Sequence, residues 1–181
     1  MTDLPVYVAV CGASPCSDEA AAHAEEVGRL LAGAGVVVVC GGMGGVMEAA
    51  SRGAAEAGGT VVGILPGGDR SEANPFVTVA VPTGIGEMRN ALIVRAADAL
   101  IAVAGEFGTL SEIALALKTG VPVIGLDTWD LVKGGSPVDA FPRLESAAEA
   151  VTVALRLAKQ RRAERQDQQS GGVAGMAPLD R

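Results

Sequence analysis

The stretch Ala99-Leu100-Ile101-Ala102-Val103-Ala104-Gly105-Glu106-Phe107-Gly108-Thr109-Leu110-Ser111-Glu112-Ile113-Ala114-Leu115-Ala116-Leu117-Lys118 decides the fold. Its unbroken apolar start predicts a strand covered on both faces, the glycines mark a turn, and the apolar spacing that follows predicts a helix stopping before Gly120. A helix entered directly from a strand opens with backbone N–H groups that have no partner inside it and with the positive end of its dipole. The turn Gly105 to Thr109 can therefore hold an anion. Thr109-Leu110-Ser111-Glu112 also spells a capping box, in which the Glu112 carboxylate does no more than close the first helical turn. At this level both readings of Glu112 stand.

The same grammar repeats on either side. Val6 to Cys11, Val36 to Cys40, Thr60 to Leu65, Leu100 to Ala104 and Val121 to Leu126 read as short parallel strands, and Phe76 to Val81 as a weaker edge strand. Helical patterns fill the gaps at Asp18 to Ala32, Gly45 to Ala57, Glu87 to Ala97 and Leu110 to Lys118, with a last helix at Ala147 to Lys159. Strand alternating with helix predicts an α/β fold, a doubly wound, mainly parallel sheet with right-handed crossovers, whose ligands sit beyond the carboxyl ends of the strands. The 181 residues suit one domain, placed at 1–160. The tail 161–181 is polar, then glycine-rich, and is expected to be disordered.

Composition narrows the classes of function. Aromatic residues are 3 % of the chain and 25 glycines serve the turns, so the core is built from Ala, Val, Leu and Ile. Five basic and three acidic residues fall in Lys159 to Arg181, which leaves a body with nine basic and eighteen acidic residues, a net −9. Such a body attracts neither nucleic acid nor an anionic membrane, so any phosphate it binds must be held by local geometry. Cys11, Cys16 and Cys40 form no C-x-x-C pair and His23 is the single histidine, so no metal site is expected; Cys11 and Cys40 read as buried small hydrophobes. No signal peptide and no membrane span is read, and a cytoplasmic location follows as the expectation.

Three glycine loops follow three of the strands: Gly12-Ala13-Ser14, Gly41-Gly42-Met43-Gly44-Gly45 and Gly105 to Thr109. None matches the G-x-G-x-x-G or P-loop pattern. As tight turns they are what any α/β domain requires; converging, they let a ligand approach the backbone. Gly41-Gly42-Met43-Gly44-Gly45-Val46-Met47-Glu48, Val62-Gly63-Ile64-Leu65-Pro66, Met88-Arg89-Asn90 and Gly105-x-x-Gly108-Thr109-Leu110-x-Glu112 together resemble the lonely-guy superfamily over Val6 to Leu126. The run Met47 to Ala54 is similar to a bacterial branch related to molybdenum cofactor carrier proteins and to the nucleotide-binding domain of a DNA-processing protein.

The resemblance implies a Rossmann-like three-layer sandwich and a phosphate-bearing ligand. Characterised members hydrolyse cytokinin riboside 5′-monophosphates, using an Arg and a Glu that correspond to Arg89 and Glu112 here. It implies phosphate or nucleotide contacts from Gly12, Ser14, Gly41, Gly42, Gly44, Gly45, Gly105, Gly108 and Thr109, with Arg89 and Glu112 catalytic in cleaving a nucleoside 5′-monophosphate to base and ribose 5-phosphate. The alternative is a non-catalytic nucleotide binder or molybdenum cofactor carrier, for which no resident cofactor is required and the molybdenum cofactor is the carried ligand. Two departures favour it: Ala104-Gly105-Glu106 replaces Pro-Gly-Gly, and Asn90 stands where the hydrolases have Lys. Arg89 otherwise reads as a surface ion-pair residue, and Glu48 as a helix first-turn charge. Lysine decarboxylation is opposed, since Lys118 and Lys133 lie in no recognisable cofactor setting. A homodimer is expected because Ile113, Leu115, Ala116 and Leu117 make one helix apolar almost all round.

Overall fold

A computed structural model describes the backbone of residues 4–172 and the side chains of residues 4–168. Its centre is a seven-stranded parallel sheet formed by β1 (Tyr7–Gly12), β2 (Val37–Cys40), β3 (Val61–Leu65), β4 (Val79–Pro82), β5 (Ala99–Val103), β6 (Val123–Leu126) and β9 (Arg143–Leu144), in the order β4-β3-β2-β1-β5-β6-β9. The six strands expected from the apolar runs are all present, and β4 lies at the edge. A two-residue hairpin, β7 (Val132–Lys133) with β8 (Ser136–Pro137), and the edge strand β9 carry no periodic signal and had none to read.

Five helices cover the sheet: α1 (Asp18–Gly33), α2 (Val46–Glu56), α3 (Asn90–Ala96), α4 (Phe107–Lys118) and α5 (Ala147–Gly172). α1, α2 and α5 pack on one face over Val8, Val10, Val38 and Ile101, while α3 and α4 pack on the other over Ala9, Cys11, Leu100 and Ala102. Alternate residues of β1 thus serve opposite cores, as the pleat of a doubly covered strand requires.

Two expectations need correction. The capping box does not form, because α4 begins at Phe107 with Glu106 as its N-cap; Thr109 already lies within the helix and Glu112 a turn further on. The last helix does not stop at Lys159. It continues to Gly172, so residues 161–172 of the expected disordered tail are helical, while 173–181 lie outside the described residues. Arg161 explains the extension: it is buried, and its Nη1 donates 2.8 Å to the Ala97 carbonyl, anchoring a polar helix to the body.

The chain's order reverses between β1 and β5. From β1 the strands run outward to β4 in one direction, and from β5 to β9 in the other. The loops leaving β1 and β5 therefore part at this point and open a crevice at the carboxyl ends of the strands.

Candidate functional site

Gly12 ends β1 opposite Val103 of β5, which places the first and third glycine loops side by side at the crevice. The first is tied to the second, since the Val46 N–H at the start of α2 donates 3.0 Å to the Ala13 carbonyl. The second loop is braced from outside by Asn74, whose N–H donates 2.8 Å to the Gly42 carbonyl and whose Nδ2 donates 3.0 Å to that of Met43. Ser14 and Glu48 both approach Gly44, but Glu48 is not on the wall of the cleft and acts as a first-turn charge of α2.

Around this junction lies a cleft of about 260 Å³ lined by Gly12, Ser14, Arg89, Gly108, Thr109 and Glu112, among others. Of the glycines read from the sequence, Gly12 and Gly108 line it directly, whereas Gly105 lies on the wall of a neighbouring hollow. Gly41 and Gly42 contribute differently. A Cβ at Gly41 would overlap the Arg89 guanidinium, so that glycine is the space in which the arginine head lies. Gly42 and Gly45 adopt left-handed backbone conformations with φ of 70° and 64°.

Arg89 comes from the 3-10 turn Gly86–Arg89 immediately before α3. Its Nε and Nη1 are buried without a hydrogen-bond partner among the described residues. This disposes of the surface ion-pair reading, because buried guanidinium nitrogens are normally satisfied and these are not. Burial pulls the guanidinium below its usual pKa, and the nearby Glu112 pulls it back.

Glu112 is 6 % exposed and sits in the second turn of α4. Burial raises its pKa to about 7, against the opposing influence of Arg89 and of a hydrogen bond from the Cys11 thiol. Cys11 is itself pushed well up by burial and by the Glu112 charge beside it. The expected burial of Cys11 and Cys40 is borne out, and Cys11 also lies near the Glu112 carboxylate. Strand alternation carried that signal: Cys11 shares a face with Ala9, the face on which α3 and α4 pack.

The first intrahelical bond of α4 runs from the Leu110 N–H to the Glu106 carbonyl, at 3.0 Å, so the N–H groups of Phe107, Gly108 and Thr109 precede the ladder. Asn90, in the place of the hydrolases' Lys, holds this turn: its Nδ2 donates 2.9 Å to Ser111 Oγ, which donates 2.7 Å to the Gly108 carbonyl. Arg89 and the free helix N–H groups can draw an oxyanion against Glu87 and Glu106 on the same wall, and a protonated Glu112 would donate to it rather than repel it.

Three comparisons bear on this geometry. A family model described as the SLOG cluster4 family matches residues 5–161. An uncharacterized protein of Archaeoglobus fulgidus is 44 % identical over 129 residues, 71 % of this chain and 85 % of that protein. Among solved structures, the molybdenum cofactor binding protein of Rippkaea orientalis is 32 % identical with a TM-score of 0.73, covering 84 % of this chain and 96 % of that one. The Moco carrier protein of Chlamydomonas reinhardtii is 29 % identical with a TM-score of 0.76, covering 87 % and 99 %. DNA processing protein A of Helicobacter pylori, described for its single-stranded DNA binding mode, shares the fold at 17 % identity and a TM-score of 0.62, covering 84 % and 81 %. Among the described residues no helix is long and apolar enough to cross a membrane.

Proposed function

The chain belongs to the SLOG cluster4 family, and from that premise we propose that it binds and carries a small phosphate-bearing ligand, the molybdenum cofactor first in line, with the phosphate in the Arg89–Glu112 cleft. The observation that carries the reading is the buried Arg89 head, lying in the space left by Gly41 with two nitrogens unpartnered. A fixed fork of donors suits a phosphate, and the neighbouring start of α4 adds backbone N–H groups to the same anion. Gly12, Ser14, Gly108 and Thr109 complete the wall, and Gly41, Gly42, Gly44, Gly45 and Gly105 shape the loops that support it. The choice of a carried ligand is supported by the near-complete overlap with the two molybdenum cofactor proteins. It is supported also by Asn90, which is engaged in holding α4 and brings no charge to the cleft.

The phosphoribohydrolase reading has one observation in its favour. Glu112, with a pKa of about 7 beside a buried arginine, can hold or release a proton near neutrality, as a carboxyl at a glycosidic bond must. One experiment separates the two: incubation of the protein with AMP, GMP, CMP and a cytokinin-type monophosphate, with chromatography of the products, alongside calorimetry with molybdenum cofactor released from a donor enzyme. Carriage predicts intact nucleotides and saturable cofactor binding. Release of base and ribose 5-phosphate that Glu112→Gln and Arg89→Ala both abolish would replace it with hydrolysis. The proposal includes no nucleic acid, on account of the −9 body, and keeps the homodimer. Ile113 and Ala116 of α4 are covered by the chain's own core, so the apolar surface offered to a second copy is instead that of exposed Met88 and Leu92, and light scattering would read the pair as twice 18.1 kDa.

A further inference from the structure

On the other side of the crevice lies a second, larger hollow of about 600 Å³. It adjoins the Arg89 cleft, with Ala13 and Glu106 lining both. The cleft sets Arg89 against Glu87, Glu106 and Glu112, whereas the hollow holds carboxylates with no cation to offset them. Glu106 and Asp127 are on its wall and no Lys, Arg or His is, so it repels a phosphate and favours a neutral group rich in hydrogen-bond donors. Its frame is set by backbone at the ends of β5 and β6, where Ala104 and Asp127 both take left-handed conformations, with φ of 48° and 50°. Thr128 Oγ1 donates to the Ala104 carbonyl and ties the two ends together. Non-glycine residues held in this region at the mouth of a cavity point to a site.

Trp129 forms a further part of the wall. Its Nε1 is buried with no hydrogen-bond partner, although a buried indole N–H ordinarily finds one. Its ring packs against Phe107 at the start of α4, with centroids 5.7 Å apart and planes tilted by 39°. Pro15 adds apolar surface to the same hollow.

We infer that this hollow receives the planar heterocycle of the ligand whose phosphate lies in the Arg89 cleft, and that Asp127 and Trp129 select a 2-amino-4-oxopyrimidine edge. The inference rests on the proposed function, since it joins two hollows into one site. A carboxylate accepts two parallel hydrogen bonds from the ring N–H and exocyclic amine that guanine and pterins both present, and an indole N–H donates to their oxo group. Adenine presents an acceptor nitrogen where the ring N–H should be and a C–H where the exocyclic amine should be, leaving both carboxylate oxygens unmatched. Guanine nucleotides and pterin phosphates thus share the recognised chemistry.

Trp129 is the chain's one tryptophan, so its emission reports on this hollow. The full chain is titrated with ribose 5-phosphate, AMP, GMP, 6-hydroxymethylpterin and its phosphate, by calorimetry and by Trp129 fluorescence. GMP and the pterin phosphate are expected to bind about tenfold or more tightly than AMP and to alter the emission, whereas ribose 5-phosphate binds without altering it. Asp127→Asn, which the left-handed backbone tolerates, should erase that preference and leave ribose 5-phosphate binding unchanged. Trp129→Phe, followed by calorimetry, should weaken GMP and the pterin phosphate and leave ribose 5-phosphate unchanged. The tighter of GMP and the pterin phosphate identifies the source of the heterocycle. Equal binding of AMP and GMP with ribose 5-phosphate still bound, or a preference that survives Asp127→Asn, overturns the inference alone. Failure of ribose 5-phosphate, with the pterin bound equally with and without its phosphate, overturns the cleft's role and leaves the hollow's selectivity standing. No binding of any ligand overturns both.

Discussion

The Arg89 cleft and the Asp127 hollow adjoin at Ala13 and Glu106 and both carry carboxylates, but the cleft alone holds a cation. The cleft is assembled from helix starts and a strand end, with a buried cation and a carboxyl pushed toward neutrality. The hollow is assembled from the connections after β1, β5 and β6, with exposed carboxylates, an indole and two left-handed residues. One side suits an anion and the other a donor-bearing ring, so a single ligand with a phosphate at one end and a heterocycle at the other would satisfy both. The contrast teaches that here the electrostatics of a crevice are set by which loops border it, since the same sheet edge supplies both.

The largest effect expected is on the cleft alone. Arg89→Ala should weaken ribose 5-phosphate binding about a thousandfold, because a desolvated, charge-assisted fork of donors is lost. Its thermal stability should hold or rise, since a guanidinium with two unpartnered buried nitrogens is removed. Calorimetry and a melting curve read the two halves; a variant that still binds ribose 5-phosphate tightly would erase the distinction between cleft and hollow.

Glu112→Gln should change the pH dependence of stability by a smaller amount. The folded-state pKa of about 7 lies above the ordinary 4.5, so the folded chain holds a proton that the unfolded chain has released between those values. That contribution is complete below about pH 4.5 and is lost as pH rises through 7, a fall of about 3 kcal/mol across the window. Urea denaturation from pH 4.5 to 8 should show this extra slope in the wild type and its absence in Glu112→Gln. Parallel curves for the two would mean that Glu112 titrates as an ordinary carboxylate and that the cleft is as acidic as the hollow.

Asn90→Ala should cost about 1–2 kcal/mol, the value of a buried side-chain hydrogen bond to the start of α4. It should weaken ribose 5-phosphate without changing the AMP-to-GMP ratio, if the turn it holds serves the cleft and not the heterocycle. A change in that ratio measured by calorimetry would show the two hollows to be mechanically one.

The same contrast separates what was legible in the sequence from what was not. The strands and most helix limits followed from long apolar runs and glycine stops, since periodicity survives without tertiary knowledge. Arg89 and Glu112 were paired through the resemblance to the lonely-guy superfamily, and the structure brings them into electrostatic contact. The hollow escaped because Asp127 to Trp129 belong to no periodic segment, and a left-handed aspartate has no signature in composition. Arg161 escaped for a related reason: on a polar helix nothing in its neighbours distinguishes a buried arginine from a solvated one. Asn74 supports the second glycine loop from 31 residues beyond Met43, a contact that only the folded sheet creates.

The finest test concerns Cys11, where the two sides of β1 meet the cleft. Its thiol lies near the Glu112 carboxylate and, as a donor to the charged form, holds that pKa below where burial alone would set it. Cys11→Ala removes the donor, and the Glu112 transition should move upward by a fraction of a unit, at a packing cost of about 1 kcal/mol. Cys11→Ser restores a donor and should bring the transition back or below. NMR of a carboxyl-labelled chain reads the midpoint directly. An unmoved midpoint in Cys11→Ala would remove the thiol from the cleft's electrostatics and leave Arg89 as the group that offsets the burial of Glu112.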